Sequence, residues 1–323
     1  MNIKFWGSRG SIPVSLSWRD IEHKLAKALQ TAEPHNLSSE KEINRFIKGL
    51  PFSIRGTFGS NTSCVQVKGE DKKQIIICDS GTGIRDLGAS LAEAINRDGP
   101  QNFVIHIFIS HFHWDHISGF PFFIPAYMEG CSINFYGYHD KLEEAMTFQQ
   151  NFTNFPIPLS AMGADITFNV LKLDRTYEIG GVSIKGIKHN HPGDAFGFRF
   201  EQNNKAFVYS TDSEHYDDVD RDDYPFVQFF NNADLVVFDA QYKFADTLTS
   251  KKDWGHSSSM IGIELALRSG VKRLCLYHND PASCDESLEQ HAIDAQKYAR
   301  RCPYPGAKNL EVFTAYDRLE IHI

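Results

Sequence analysis

A chain of 323 residues carries 33 Lys and Arg against 41 Asp and Glu, a formal charge of −8, which argues against a broad basic surface for extended nucleic acid. Apolar content of 41% and charged content of 23% are those of an ordinary globular protein, and the length allows one elaborated domain with a large core. No apolar run approaches the roughly 20 residues needed to cross a bilayer, no signal-like core opens the sequence, and six cysteines without a Cys-x-x-Cys pair read as free thiols in a reducing cytoplasm.

In chain order, a strand over 3–6 breaks into Gly7-Ser8-Arg9-Gly10-Ser11-Ile12-Pro13. Two glycines allow tight backbone there, and Arg9 either faces an anionic ligand or sits in a surface turn. Residues 17–55 read as an inserted helical hairpin. Ile21, Leu25, Ala28 and Leu29 make one apolar stripe at helical spacing, and Ser39 with Glu42 is a capping box for a second helix that Gly49 and Pro51 end. The insertion is a lid, a homodimer contact or packing decoration. A Gly-Ser-Asn turn follows, and its Asn61 and Thr62 join Arg9 and Ser11 as candidate substrate contacts. It feeds a strand that turns through a charged segment at 68–73 into a buried strand over 74–78, ending in Asp79. Residues 87–95 are helical.

The apolar run 103–109 reads as a buried strand that delivers Ser110-His111-Phe112-His113-Trp114-Asp115-His116. Strand alternation points His111 and His113 the same way, so they can grip one ion, while Asp115 and His116 are free to serve a second. Imidazole nitrogen with carboxylate oxygen suits zinc, manganese or iron. The aromatic run 119–127 walls a pocket or fills the core. A strand over 133–138, a helix over 141–150 and an extended loop around Pro156 and Pro158 follow. β character returns at 167–173, 177–179 and 182–188, the last leading to His189-Asn190-His191. A hairpin of 196–200 with 206–209 leads to Asp212, and a buried strand over 235–238 ends in Asp239, where acidic caps are common. His256 precedes serines, of which Ser257 or Ser258 caps a helix over 260–268. A strand over 271–277 delivers His278, a helix spans 285–301, and 310–323 reads as a final hairpin.

The His-x-His-x-Asp-His spacing of residues 111–116 resembles the signature of the metallo-β-lactamase-fold hydrolases. The resemblance implies an α/β fold, a four-layer αββα sandwich over 1–323 as a single domain, with 17–55 as an N-terminal helical insertion. Its halves, roughly 1–165 and 166–323, would each give metal ligands at strand ends. The family's third His is matched by His191, which stands directly before Pro192, leaving His189 beside the site or on the surface; its bridging Asp is matched by Asp212 and its last His by His278. Asp79 matches the family's Asp-x-Gly and would fix the tautomer of a ligating His. His256 before Ser-Ser, with His278 about one helix later, narrows the resemblance to the ribonuclease Z and cyclic-nucleotide phosphodiesterase branch, where that turn carries a catalytic His. Two divalent ions are implied, zinc before manganese or iron. His111, His113 and His191 would hold one and Asp115, His116 and His278 the other, with Asp212 bridging them. His256, Asp115 and Asp239 form the catalytic set.

Two such cations, about 3.5–4 Å apart, could hold a bridging hydroxide, because bound water falls from a pKa near 15.7 to about 7. The resemblance implies that this nucleophile would attack a phosphodiester in line while His256 would give the leaving oxygen a proton. β-Lactam chemistry is disfavoured, because the relevant members replace the bridging Asp by Cys or lack it. Transfer-RNA processing is disfavoured too: the family's basic arm lies between the third His and the bridging Asp, where this chain has room for a hairpin, and Asn279-Asp280-Pro281 stands in place of Ser-Arg-Tyr. The expected substrate is a small phosphodiester such as a 3′,5′-cyclic nucleotide. The alternatives are another small ester, lactone or sulfate ester, a ribonuclease Z-like nuclease, and a low-turnover metal-bearing sensor.

Overall fold

The computed structural model describes residues 1–215 and 217–323. β1 (Asn2–Gly7), β2 (Cys64–Lys68), β3 (Gln74–Cys78), β4 (Val104–Phe108), β5 (Ser132–Gly137) and β6 (Asp165–Val170) build one sheet. β7 (Tyr177–Ile179), β8 (Val182–His189), β9 (Ala195–Gln202), β10 (Lys205–Ser210), β11 (Leu235–Asp239), β12 (Arg273–Tyr277) and β13 (Glu311–Thr314) build the other, and β14 (Glu320–His322) returns to the first. The orders are β14-β1-β2-β3-β4-β5-β6 and β13-β12-β11-β10-β9-β8-β7.

Alternation along the strands makes the layers. Ile75 and Ile77 of β3 face outward, onto Ile84, Leu87, Leu91 and Ile95 of the helix Gly83–Asp98. Ile76 and Cys78 face inward, onto Phe198, Phe200, Val237 and Tyr277. Val236, Phe238, Leu274 and Leu276 complete the sandwich on the far side, against the helices Ser259–Arg268 and Asp285–Arg301. The architecture is therefore the αββα sandwich the sequence predicts. The parallel pairs β3–β4, β10–β11 and β11–β12 end on one edge, where strand carbonyls give way to loops, the usual place for ligands in such sheets.

Several local readings change. The 310–323 segment is not a hairpin: β13 runs parallel to β12 and β14 antiparallel to β1, because Val312 belongs to the outer layer and Ile321 to the inner one. The division between halves falls after β6, which pairs with β5. Asn203 and Asn204, at φ 53° and 58°, make a two-residue hairpin turn, tighter than the five-residue connection expected. Phe120 and Phe123 of the aromatic run are core, while Phe122 and Ile124 are exposed. Ser258 is the N-cap of its helix without a side-chain bond, and Ser257 Oγ donates instead to Ser213 O at 2.8 Å.

The insertion forms the helices Trp18–Thr31, Glu40–Gly49 and Phe52–Arg55, not a closed hairpin. Its reciprocal capping box is Ser17 with Asp20, while Ser39 Oγ accepts from Glu42 N alone. Neither of the two longer helices buries a residue, and Trp18, Leu25 and Leu29 are 68%, 59% and 67% exposed. Lys24 anchors the first helix, its Nζ donating to Asp285 Oδ2 at 2.7 Å and Gly56 O at 2.8 Å.

Candidate metal centre

Past β4, which ends at Phe108, residues 109–113 lead into the short helix Trp114–Ile117, for which His113 is the N-cap. That connection, not strand alternation, brings the rings of His111 and His113 to 4.5 Å. With His191 they form a group whose ligand atoms lie within 4.8 Å of one another, and Asp115, His116 and His278 form a second. Asp212 stands between the two. Its Oδ1 lies 3.3 Å from His116 Nε2, and its Oδ2 lies 3.4 Å from His278 Nε2, 3.7 Å from His111 Nε2 and 3.9 Å from His191 Nε2. Asp79, Asp212 and His278 each sit just past a strand end at φ 59°, 57° and 60°, and Ser11 at 61°. Side chains adopt this left-handed backbone at a cost of about 1–3 kcal/mol each, borne by the surrounding fold.

A shell of acceptors fixes the tautomers. His191 Nδ1 donates to Gly255 O at 2.8 Å, His278 Nδ1 to Gln241 Oε1 at 2.8 Å, and His116 Nδ1 to Asp79 Oδ2 at 2.7 Å. Each leaves an Nε2 lone pair aimed at the centre. Asp79 also accepts from Ser110 N and Oγ at 2.7 and 2.8 Å and from Tyr209 OH at 2.8 Å. Glycine is required where rings press on backbone: a Cβ at Gly10 would lie 2.4 Å from His278 Nδ1, and one at Gly255 2.1 Å from His191 Nδ1.

Electrostatics sorts the ligands. Burial, then neighbouring imidazoles, holds His111 and His113 below their ordinary values; burial holds His191 below as well. Neutral imidazole is the state that ligates. Burial disfavours the charge of His116 too, but Asp212, Asp115 and Asp79 outweigh it and raise its pKa well above the usual value. Burial pushes Asp115 and Asp212 up, yet His116 for the first and His278 for the second prevail, and both stay well below the usual carboxylate range.

His256 lies against this pair of groups, its ring 4.9 Å from that of His278. Its Nδ1 donates to Asp239 Oδ2 at 2.8 Å, and Asp239 accepts as well from Gln241 N at 3.1 Å. Burial opposes its charge, but Asp239 and then Asp212 push it up to about 9. Ser11 also reaches the site, its N donating to Asp115 Oδ2 at 2.7 Å.

Three expected substrate contacts are elsewhere. Arg9 is buried with Nε on Gly59 O at 2.9 Å and NH1 on Asp280 O and Ser283 O at 3.1 and 3.0 Å, because its turn tucks under the 280–285 loop. Asn61 and Thr62 tie that turn to the next loop: Asn61 O accepts from Ser8 N and Arg9 N, and Thr62 Oγ1 accepts from Thr82 N. His189 turns away, donating from Nδ1 to Thr211 O at 2.8 Å. Gln241, Tyr209 and Glu214 support the candidate site residues and are not marked by the sequence; Glu214 holds the His256 loop by accepting from Asp253 N and Gly255 N at 3.0 Å. Only the place of Gln241, two residues after a strand-end Asp, hinted at its role.

The residues present fit divalent cations. His111 Nε2 is buried without a hydrogen-bond partner among the described residues, 3.7 Å from Asp212 Oδ2, and a lone pair so placed would serve as a ligand atom. Imidazole and carboxylate donors suit zinc, and also manganese or iron.

The family model described as the beta-lactamase superfamily domain matches residues 75–279. A ribonuclease Z of Thermoplasma acidophilum is 23% identical over 270 residues, 69% of this chain and 82% of that protein. Among solved structures, Zn²⁺-bound PqqB from Methylobacterium extorquens superposes with TM-score 0.64 at 14% identity, covering 100% of both chains. A diphosphatase from the PhnP family superposes with TM-score 0.57 at 16% identity, covering 100% of this chain and 97% of the other.

Proposed function

The chain belongs to the beta-lactamase superfamily, and we propose that within it this protein is a binuclear metal-dependent phosphodiesterase acting on small phosphodiesters such as 3′,5′-cyclic nucleotides. The observation that carries the reading is the position of Asp212, one carboxylate shared by two imidazole-containing groups. His111, His113 and His191 would hold one cation and Asp115, His116 and His278 the other, with zinc the first candidate. Bound there, the cations supply positive charge to phosphoryl oxygens and favour ionisation of water near neutral pH.

The chain's own groups do the rest. Asp239 keeps the His256 proton on Nδ1, leaving Nε2 to pass a second proton to the leaving oxygen. Asp239 acts through His256 and is a positioning residue. Ser11 N fixes one Asp115 oxygen and would hold that carboxylate ready for its cation. The segment between His191 and Asp212 is taken up by β9, a two-residue turn and β10, which supports a small substrate over a structured RNA. The nuclease reading rests on the ribonuclease Z relative.

We read the 17–55 insertion as a homodimer contact. It carries seven Lys and Arg against five Asp and Glu in an otherwise acidic chain, so it is attracted to the body of a second copy. Its exposed Trp18, Ile21, Leu25, Leu29, Leu37 and Ile47 supply much of the roughly 800 Å² per partner that a stable interface buries. Six unpaired cysteines, four of them buried, support a reducing, cytoplasmic setting.

The test is metal analysis with a panel of phosphodiesters, sulfate esters, lactones and a transfer-RNA precursor. Two ions per chain and turnover of small phosphodiesters are expected, with Asp212→Ala losing at least one ion and the activity. Full activity at one ion per chain ends the binuclear reading. Efficient cleavage of the precursor that falls steeply with salt replaces it with the nuclease.

A further inference from the structure

Three of the four tryptophans are engaged. Trp6 is buried and donates from Nε1 to Gln66 Oε1 at 3.2 Å. Trp18 lies under the Arg19 guanidinium at 5.2 Å. Trp254 packs edge-on to Tyr242, with Lys251 Nζ 3.7 Å from its ring. Trp114 has no such partner: among the described residues its indole makes no hydrogen bond, ring contact or cation contact, and at 84% it is the most exposed large apolar side chain.

Its backbone, in contrast, is firmly held. Trp114 stands between His113 and Asp115; Trp114 O accepts from Ser118 N at 2.8 Å, and His113 O accepts from His116 N at 2.9 Å. The indole is therefore presented to solvent from the fixed first turn of the short helix Trp114–Ile117, at the lip of a cleft of about 350 Å³ that runs over the candidate ligand groups. Leaving so large an apolar surface wet lowers stability and is unexplained by the protein's own packing.

The cleft's other contacts narrow what can cover it. Among the described residues no Lys or Arg lines it. Arg9 is engaged by carbonyls, and Arg85 pairs with Asp86 at 2.9 Å. Beyond the ligand groups, Phe112 and Trp114 are the large apolar side chains lining it. A substrate with several phosphates would leave charges unmet, whereas one phosphoryl centre joined to a planar ring matches both surfaces. The volume suits a ligand of mononucleotide size.

We infer that Trp114 is the specificity-determining residue of this site, a platform on which a nucleobase or comparable aromatic ring of the substrate stacks. The inference rests on the phosphodiesterase reading and names its substrate class.

The test uses metal-loaded protein and two readouts. Adenosine 5′-monophosphate should quench tryptophan fluorescence and bind about ten-fold more tightly than ribose 5-phosphate, a margin within the range of one stacked base. Trp114→Leu should abolish the quenching and the preference, and Trp114→Phe should keep the preference. In turnover of bis(4-nitrophenyl) phosphate, Trp114→Leu should raise KM about ten-fold with kcat changed less than about three-fold. Equal affinity for the two ligands in the unsubstituted protein overturns the inference, as does a preference that survives in Trp114→Leu. Absence of any phosphodiester turnover refutes the phosphodiesterase reading instead, while the fluorescence titration still decides whether Trp114 stacks a ring.

Discussion

At the scale of the residue, His256 joins burial to a pKa pushed up to about 9, so the ring holds a proton beside groups that gather negative charge. His256→Ala should keep both metal ions and slow turnover of a poor leaving group about 10²–10⁴-fold, with less loss for nitrophenolate. Asp239→Asn should lower kcat less and shift the acid-donor limb of the pH profile downward, since the carboxylate that raises the pKa is gone. Metal loss in His256→Ala would make that ring a ligand and reopen the role of His278. The candidate ligands are legible in sequence because the His-x-His-x-Asp-His spacing and the strand-end positions of His191, Asp212 and His278 mark them, and the fold brings those side chains together. Arg9, Asn61 and Thr62 are not, since sequence cannot tell whether a polar side chain near a site is already engaged. For Arg9 three carbonyls and Asp285, 3.8 Å from NH2, decide the matter.

At the scale of the element, strands are read well where apolar residues alternate into two cores, as in β3 and β11, and poorly where partner choice depends on distant chain. β13 and β14 are adjacent in sequence yet belong to different sheets, which hydropathy cannot reveal. The insertion is the other case: helical spacing marks its helices but not what covers their apolar face. If a second copy covers it, Leu25→Glu with Ile47→Glu should halve the mass seen by light scattering or sedimentation and leave kcat unchanged. A monomeric unsubstituted protein at micromolar concentration would reduce the stripe to surface. Residues 52 and 53 should not be removed in such a test, since Phe52 N and Ser53 Oγ both donate to Glu289 of the last helix.

At the scale of the whole molecule, buried histidines set an acid limit. Burial holds His189 at about 4 and His215 at about 3. The unfolded chain takes up these protons below roughly pH 6.5, and the native fold does not until near those lower values. Stability is therefore undiminished above that point and falls as pH drops through the window, by about 1.4 kcal/mol per pH unit for each histidine. Urea midpoints at pH 7, 6 and 5 in chelator should show the decline, and His215→Phe should lessen it by that residue's share while His189 keeps the rest; a midpoint indifferent to pH would dismiss the cause. The two-sheet sandwich is legible in the sequence, while the way its loops interlock is not. His278 and Asp115 are 163 residues apart in sequence and belong to opposite sheets, yet their side chains meet at 3.0 Å. An ion held there works as a clasp, a reversible tether that closes a long loop much as a cross-link does. Unfastening it with chelator should let that edge of the sandwich gape while the inner aromatic layer stays shut. Hydrogen exchange and protease nicking should then begin at 110–118 and 253–257, well before any strand is lost.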